Sequence, residues 1–354
     1  MKNIGMINYW GFGRGRAYVG LGYAKMLKGA HNVYVLQQGT NPIGKEFEGW
    51  ARVTPYQNYY IDKNVYKTWI RENKLNAVIL FEYGQWQEEI TDLVKIAKDE
   101  GCKVYGFFVI EKFNRKQLAG FDRVFAPCVT CERVFRYNKV RNFTYIPQSI
   151  DLTEFDNVKE PTEKFTFLHV GGFGGVHNRK NTQSVIDAFC KLNNPQTKLI
   201  ISAQQNFPLK IPENHDIELI SKNLPREELV KLYHRADAAV YPSKWETIGI
   251  PILESLAASL PVITVNAAPM NEFVKVGMNG FIASCDMREY PDIAINAAEV
   301  DVDSLKNCME NILNKSIYEM LSRNSRFIVE KLYDLEKNKH YLLDFIEKDL
   351  GESK

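Results

Sequence analysis

The stretch from Ala238 to Val265 constrains the fold more than any other part of this chain. Ala238-Ala239-Val240-Tyr241 is a short apolar run followed by a proline, the pattern of a strand buried on both faces. Ile250 to Ser259 is apolar and alanine-rich at helical length, and Pro261-Val262-Ile263-Thr264-Val265 reads as the next strand. A strand, a polar loop, a helix and a second strand in so few residues make one turn of an open, parallel α/β sheet. Ligands of such sheets bind at the carboxyl ends of the strands.

The same alternation runs through the rest of the sequence. Asn3–Ile7, Val33–Gln37, Ala77–Phe81, Lys103–Val109, Val124–Ala126 and Thr144–Ile146 read as strands. Arg16–Lys28, Asn64–Asn73, Gln87–Glu100 and Cys131–Tyr137 read as helices between them. Gln148 to Phe155 and then Pro161 form a linker. A second series starts at Phe165-Thr166-Phe167-Leu168-His169-Val170 and continues through Lys198–Ser202, Asp216–Ile220, Ala238–Tyr241, Val262–Val265 and Gly280–Ile282. A last helix is expected over roughly Ser316–Asp349. At 354 residues the chain is long enough for two domains of ordinary size, and two such domains leave a cleft, a common ligand site.

Two carboxylates mark the junction described first. Glu246 falls in the loop before the helix, and Glu254 falls inside it, about 10 Å away at ~1.5 Å per helical residue. The helix start between them favours anions. A nucleotide sugar suits this layout: its diphosphate at the helix start, its sugar and ribose hydroxyls on carboxylates that can only accept hydrogen bonds. Two glycine-rich loops follow the first strand of each series. They are Gly11-Phe12-Gly13-Arg14-Gly15 and Gly171-Gly172-Phe173-Gly174-Gly175, the latter leading to His177, Arg179 and Lys180. Glycine lets backbone amides come close to phosphate. Neither loop has the dinucleotide fingerprint: the first lacks the third glycine at its spacing, and Gln37-Gln38 end the next strand without an acidic residue.

On these residues the chain resembles the retaining GT-B glycosyltransferases of family 4 (glycosyl transferases group 1). The resemblance rests on the E-x7-E run from Glu246 to Glu254, on Leu229-Val230-Lys231-Leu232-Tyr233-His234-Arg235-Ala236-Asp237 upstream, and on Pro261-Val262-Ile263 to Asn271-Glu272 downstream. It implies a GT-B fold, two doubly wound Rossmann-like domains facing across a cleft. The implied domains are an acceptor domain over 1–152, a donor domain over 153–325 and a terminal helix over 326–354 that packs back on the first. It assigns Glu246 to the transferred sugar and Glu254 to the ribose, with the amides of Thr247, Ile248 and Gly249 facing the sugar. Arg179 and Lys180 resemble the family's basic pair for the diphosphate. Gly11, Gly13 and Gly172 would line the donor site, and Leu224 would lie near the base.

The chain departs from the family in three places. Thr247-Ile248 stand where many members have Gly-Phe. Gly172 stands where an arginine is usual, so Arg179 would supply that charge. The only first-domain histidine, His31, is poorly placed, which leaves Glu111, after Phe107-Phe108-Val109-Ile110, as a replacement facing the sugar. His169 lies inside an apolar strand and reads as a core histidine. The mechanism implied is retention: the donor diphosphate leaves while Arg179, Lys180 and loop amides stabilise its charge, and the acceptor hydroxyl attacks from the same face. No metal and no cofactor beyond the UDP- or GDP-sugar co-substrate is required.

Charge bears on the acceptor. Residues 1–150 hold 22 Lys+Arg against 13 Asp+Glu, while the remainder holds 23 against 30, so the first half is the one suited to an anionic partner. Two of its stretches mix cations with aromatics: Trp50 through Tyr56, Tyr60, Tyr66, Trp69 and Arg71, and Lys112 through Arg133, Phe135, Arg136, Tyr137 and Arg141. They fit a lipid-linked or cell-envelope acceptor at a membrane surface. They also fit nucleic acid, as in a DNA-modifying sugar transferase. A sugar-nucleotide epimerase and a non-catalytic binding protein are the readings from other classes. The N-terminus reads as a first strand rather than a signal peptide. Of six cysteines only Cys128 and Cys131 make a C-x-x-C, without the second pair a structural zinc needs. A reducing, cytoplasmic setting is expected, with peripheral contact to the inner membrane face.

Overall fold

The computed structural model describes residues 1–8, 15–39, 44–56, 58, 60–81, 90–118, 120–157, 159–173, 179–290 and 294–351. They form two compact units. The first comprises residues 1–149 with the C-terminal helix Leu335–Gly351, and the second residues 150–334.

The first unit is built on a parallel sheet of seven strands: β1 (Asn3–Asn8), β2 (Asn32–Gln38), β3 (Ala51–Tyr56), β4 (Ala77–Phe81), β5 (Lys103–Phe107), β6 (Arg123–Ala126) and β7 (Phe143–Tyr145). The spatial order is β3-β2-β1-β4-β5-β6-β7. The order reverses beside β1, the doubly wound arrangement that follows when right-handed crossovers run first one way and then the other. Helices α1 (Gly15–Leu27), α2 (Lys63–Glu72), α3 (Ile90–Asp99) and α4 (Val129–Tyr137) make the crossovers. Asp62 caps α2 by accepting from the amides of Asn64 and Val65. Tyr23 of α1 is buried against Phe81, Phe107 and Phe125, its hydroxyl bonded to the Ile146 carbonyl.

Edge strand β3 was not expected from the sequence. Ala51-Arg52-Val53-Thr54-Pro55-Tyr56 is polar and contains a proline, which a sheet tolerates only where its missing N–H has no partner to lose. It forms because β2 offers a parallel register from Val33–Ala51 to Gln38–Tyr56.

The second unit repeats the plan. Strands β8 (Phe165–Gly172), β9 (Thr197–Ala203), β10 (Ile217–Ser221), β11 (Ala238–Tyr241), β12 (Val262–Val265) and β13 (Gly280–Ala283) lie in the order β10-β9-β8-β11-β12-β13, all parallel. The crossover helices are α5 (Thr182–Leu192), α6 (Arg226–His234), α7 (Ile250–Ala257) and the single turn α8 (Met270–Phe273). A small antiparallel pair, β14 (Cys285–Arg288) and β15 (Ala297–Val300), follows, then α9 (Val302–Ile312) and α10 (Lys315–Leu332). Phe167, Ile186, Leu199, Val240, Ile263 and Met309 meet in its core. The fold class expected from the sequence is therefore observed: two parallel-sheet, Rossmann-like units.

The single last helix expected over Ser316–Asp349 is two helices. Tyr333 ends α10 with its N–H on the Val329 carbonyl, its own carbonyl accepts from the Ile150 amide, and Asp334 pairs with Ile150. The units divide there and at Ser149/Ile150, rather than at the expected 152/153 and 325/326. Helical periodicity continues through the break, so only the tertiary pairing reveals it. The C-terminal helix packs Phe345 on Tyr105 and Phe125.

Candidate active site

The second unit places its charged residues at the point where its strand order reverses. β8 and β11 are neighbours there, and the crossovers leaving them run in opposite directions, which opens a crevice at their carboxyl ends. Arg179 and Lys180 follow β8, and Glu246 follows β11. These residues, 67 and 66 positions apart in the chain, meet: Arg179 Nη1 donates to Glu246 Oε2 at 2.9 Å and Lys180 Nζ to Glu246 Oε1 at 2.5 Å. Glu246 and Lys180 are each only 5% exposed. Burial alone would raise the Glu246 carboxyl, but the charges of Arg179 and Lys180, with hydrogen bonds from Lys180 and Ser243, outweigh it and hold the group ionised below its ordinary range.

The backbone around this cluster is fixed from several sides. The Lys244 amide donates to the Arg179 carbonyl, and the Lys244 carbonyl accepts from Ala298 of β15. Lys244 Nζ meets Glu299 at 2.7 Å, and Trp245 packs on Tyr290. Gly249 caps α7 with φ +83°, a conformation that L side chains rarely adopt. Thr247 and Ile248, just before it, are buried. Gly172 ends β8 with φ +65°, and beyond its chain neighbours no atom of the described residues lies within 4 Å of where its side chain would start.

His169, expected as a core residue, is one. It is fully buried in β8, with Nδ1 2.7 Å from the Val240 carbonyl and Nε2 2.9 Å from the Thr182 hydroxyl. A carbonyl can only accept, so Nδ1 carries the proton and Nε2 accepts from Thr182. The ring thereby ties β11 to the start of α5, two residues after Lys180.

Glu254 sits apart from this cluster, on α7, 4% exposed. Arg226 Nη1 donates to its Oε1 at 2.5 Å and the Tyr233 hydroxyl to its Oε2 at 2.6 Å. Arg226 also donates Nε to Glu154 Oε2 at 2.8 Å and lies over the Phe155 ring. Burial opposes the charge on Arg226, and the carboxylates of Glu254 and Glu154 more than offset it. Burial and then the Glu254 charge push the Tyr233 hydroxyl well above its ordinary range, so it remains a donor.

The structure thus brings Arg179, Lys180 and Glu246 together and gives Glu254 partners of its own. Leu224 is half-buried two residues before Arg226, at the carboxyl end of β10, where Gln204 bonds Asn223 across to β9. Glu111 is buried in the first unit, in a single 3-10 turn after β5. Gly11, Gly13 and His177 lie outside the described residues. Nothing in the sequence singles out Arg226, Glu154 or Ser243. Each is an ordinary polar residue in the sequence, and only the fold sets it beside a glutamate.

The aromatic stretches of the first unit are largely structural. Tyr66, Trp69 and Phe135 are buried, whereas Tyr60 and Tyr137 are exposed, Tyr137 beside exposed Arg133, Arg136 and Arg141. Periodicity on α2 and α4 turns the large rings inward and the cations outward. Cys128 caps α4 and lies 3.3 Å from Cys131, sulfur to sulfur, both as free thiols. Among the described residues no helix is long and apolar enough to cross a membrane.

Residues 151–312 match the sequence model of a family described as glycosyl transferases group 1. The glycogen synthase of Mycobacterium tuberculosis is 33% identical over 129 residues, a stretch covering 34% of this chain and only 31% of that enzyme's length. A probable sucrose-phosphate synthase of Thermosipho melanesiensis is 28% identical over 282 residues, 73% of this chain and 61% of the relative. Among solved structures, HepE of Anabaena, determined with UDP and glucose, superposes with a TM-score of 0.76 at 14% identity, covering 98% of this chain and all of that one. The likeness to group 1 glycosyl transferases is carried by the sequence of the second unit, and the GT-B fold of glycosyltransferases by the chain as a whole.

Proposed function

We propose that this chain is a retaining, family-4-type glycosyltransferase that moves a sugar from a nucleotide-sugar donor to an acceptor hydroxyl. The observation that carries the proposal is the Arg179–Lys180–Glu246 cluster at the strand-order reversal of the second unit, with Lys180 and Glu246 buried. Two cations on one carboxylate leave a net positive charge, suited to a diphosphate leaving group. As the bond from the anomeric carbon to the diphosphate breaks, the acceptor oxygen bonds to that carbon from the same face and its proton passes to an oxygen of the departing diphosphate, whose developing charge Arg179 and Lys180 take up. Glu246, whose oxygens keep lone pairs beyond those its cations occupy, accepts a hydroxyl of the sugar. The amides of Thr247, Ile248 and Gly249 at the start of α7 face the same group. Arg179 and Lys180 do the electrostatic work, with no metal required.

Glu254 accepts from the ribose, and the end of β10 around Leu224 receives the base. Glu111 stands in for a first-domain histidine toward the sugar. HepE's complex with UDP and glucose and the relatives named as glycogen synthase and sucrose-phosphate synthase support a nucleotide-sugar donor, which we take to be a UDP- or GDP-sugar. The basic, partly aromatic surface of the first unit around Tyr137 supports an anionic acceptor, lipid-linked or of the cell envelope, reached from the cytoplasmic side.

A thermal-shift panel of UDP-, GDP-, ADP- and TDP-sugars tests the donor site. One clear stabiliser, with affinity lost in Glu254→Ala and turnover lowered more in Glu246→Ala, is expected. No response to any donor, or unchanged kinetics in both variants, refutes the assignment.

A further inference from the structure

We infer that Arg226, held in place by Glu154, is a positioning residue that sets Glu254 for a ribose, and that this cluster makes the site select ribose over 2′-deoxyribose. The inference rests on the donor-site reading above and adds residues and a specificity to it.

Glu254 needs its orientation fixed, because a carboxylate on a helix rotates freely unless both oxygens are held. Here they are: Arg226 Nη1 holds Oε1 and the Tyr233 hydroxyl holds Oε2, all three side chains largely removed from water. Each oxygen keeps a further lone pair, so the group remains an acceptor with a set direction, as a vicinal diol requires. Arg226 is itself aimed. Its Nε and Nη2 both lie 2.8 Å from Glu154 Oε2, which leaves Nη1 for Glu254. The planar fork of arginine makes this division possible, and a lysine has no equivalent.

Charge adds to the geometry. Glu154, Arg226 and Glu254 together carry one net negative charge, whereas Arg179, Lys180 and Glu246 carry one net positive charge. A donor molecule laid along the E-x7-E segment meets a cationic cluster at one end and an anionic one at the other. Phosphate is favoured at the first and disfavoured at the second, where hydroxyl hydrogens are favoured instead. The anionic character exists only because Glu154 is present, since Arg226 and Glu254 alone would be neutral. Glu154 reaches the site across 72 residues, from the 3-10 turn Leu152–Phe155 that opens the second unit.

The test is calorimetric binding of UDP, GDP and ADP, and of their 2′-deoxy counterparts, to the full chain and to Arg226→Gln, Arg226→Lys and Glu154→Gln. The wild type is expected to prefer its ribonucleotide by about tenfold or more, the worth of one hydrogen bond to a charged acceptor. Arg226→Gln should weaken the ribonucleotide by about that factor and leave the deoxynucleotide nearly unchanged, so that the preference collapses. In turnover the same variant should raise the donor KM and leave kcat within about twofold. Arg226→Lys should restore little of the preference. Glu154, a quarter exposed, can be replaced without burying a new charge, and Glu154→Gln should reduce the preference severalfold even if Arg226→Gln does not fold. A folded Arg226→Gln or Glu154→Gln with the wild-type preference overturns the role of the cluster alone. A wild type that binds none of these nucleotides overturns the donor-site reading and this inference with it.

Discussion

Replacing Glu246 by glutamine separates two roles that its cluster could play. In the unliganded chain the carboxylate occupies the cations that the donor diphosphate needs. Lys180 Nζ is 2.5 Å from Glu246 Oε1, and a phosphate oxygen on the far side of that ammonium would stand about 2.8 Å beyond it. The two anions would then be about 5 Å apart. At an effective dielectric of about 20 their repulsion is ~3 kcal/mol, on the order of a hundredfold in affinity. Glu246→Gln should therefore bind a nucleoside diphosphate up to about a hundredfold more tightly, an upper bound because water screens part of the repulsion. The same change strands Lys180 in a buried site, at a cost of about 3–5 kcal/mol. The low end applies because the Arg179 side chain is one-third exposed and can rehydrate. At roughly 2–4 °C per kcal/mol, Tm without ligand should fall by about 6–12 °C. Sugar transfer should drop on the order of a hundredfold as the hydroxyl contact is lost. Calorimetry with the nucleoside diphosphate of the stabilising donor, a thermal melt and a transfer assay check the three. A folded variant whose diphosphate affinity is unchanged or weaker refutes the reasoning, because Arg179 and Lys180 would then be structural ion-pair partners of Glu246 that never meet phosphate.

Two further predictions concern the frame of the site. Burial, partly opposed by the Val240 carbonyl, lowers the His169 imidazole to about 4, while the unfolded chain titrates near the ordinary value of about 6.5. Between those values the unfolded state holds more protons, so stability should fall as pH drops through the window, by about 3 kcal/mol at pH 4. In His169→Gln that part of the acid limb should flatten, and denaturant midpoints from pH 7 to 4 would show it. Gly280 in β13 is packed so closely that an added Cβ would stand 1.8 Å from the Val262 carbonyl oxygen of β12. Gly280→Ala should cost about 3 kcal/mol or more and lower the thermal transition of the second unit by about 6 °C or more, and a wild-type melt would disprove the packing.

Much of this molecule is determined by the sequence alone, and the reason is locality. Ala238–Tyr241 and Val262–Val265 are strands at the residues expected of them because a short apolar run between a helix and a turn has few other ways to bury itself. The doubly wound plan follows from repeating that unit. Arg179, Lys180, Glu246 and Glu254 could be singled out because the basic pair and the E-x7-E run that resemble those of group 1 glycosyl transferases are each contiguous in the chain. Tertiary structure decided what depends on distant partners. Polar, proline-bearing Ala51–Tyr56 has no strand pattern of its own, and β2 supplies the edge with which it pairs. The helical pattern ran unbroken past Tyr333 until Ile150 claimed its carbonyl. The surroundings of Glu254 lay beyond sequence reading for the same reason. Arg226 and Glu154 stand 28 and 100 residues from it in the chain, and nothing local to either forecasts a shared buried charge. Their meeting is a product of where α6, α7 and the opening turn of the second unit come to rest.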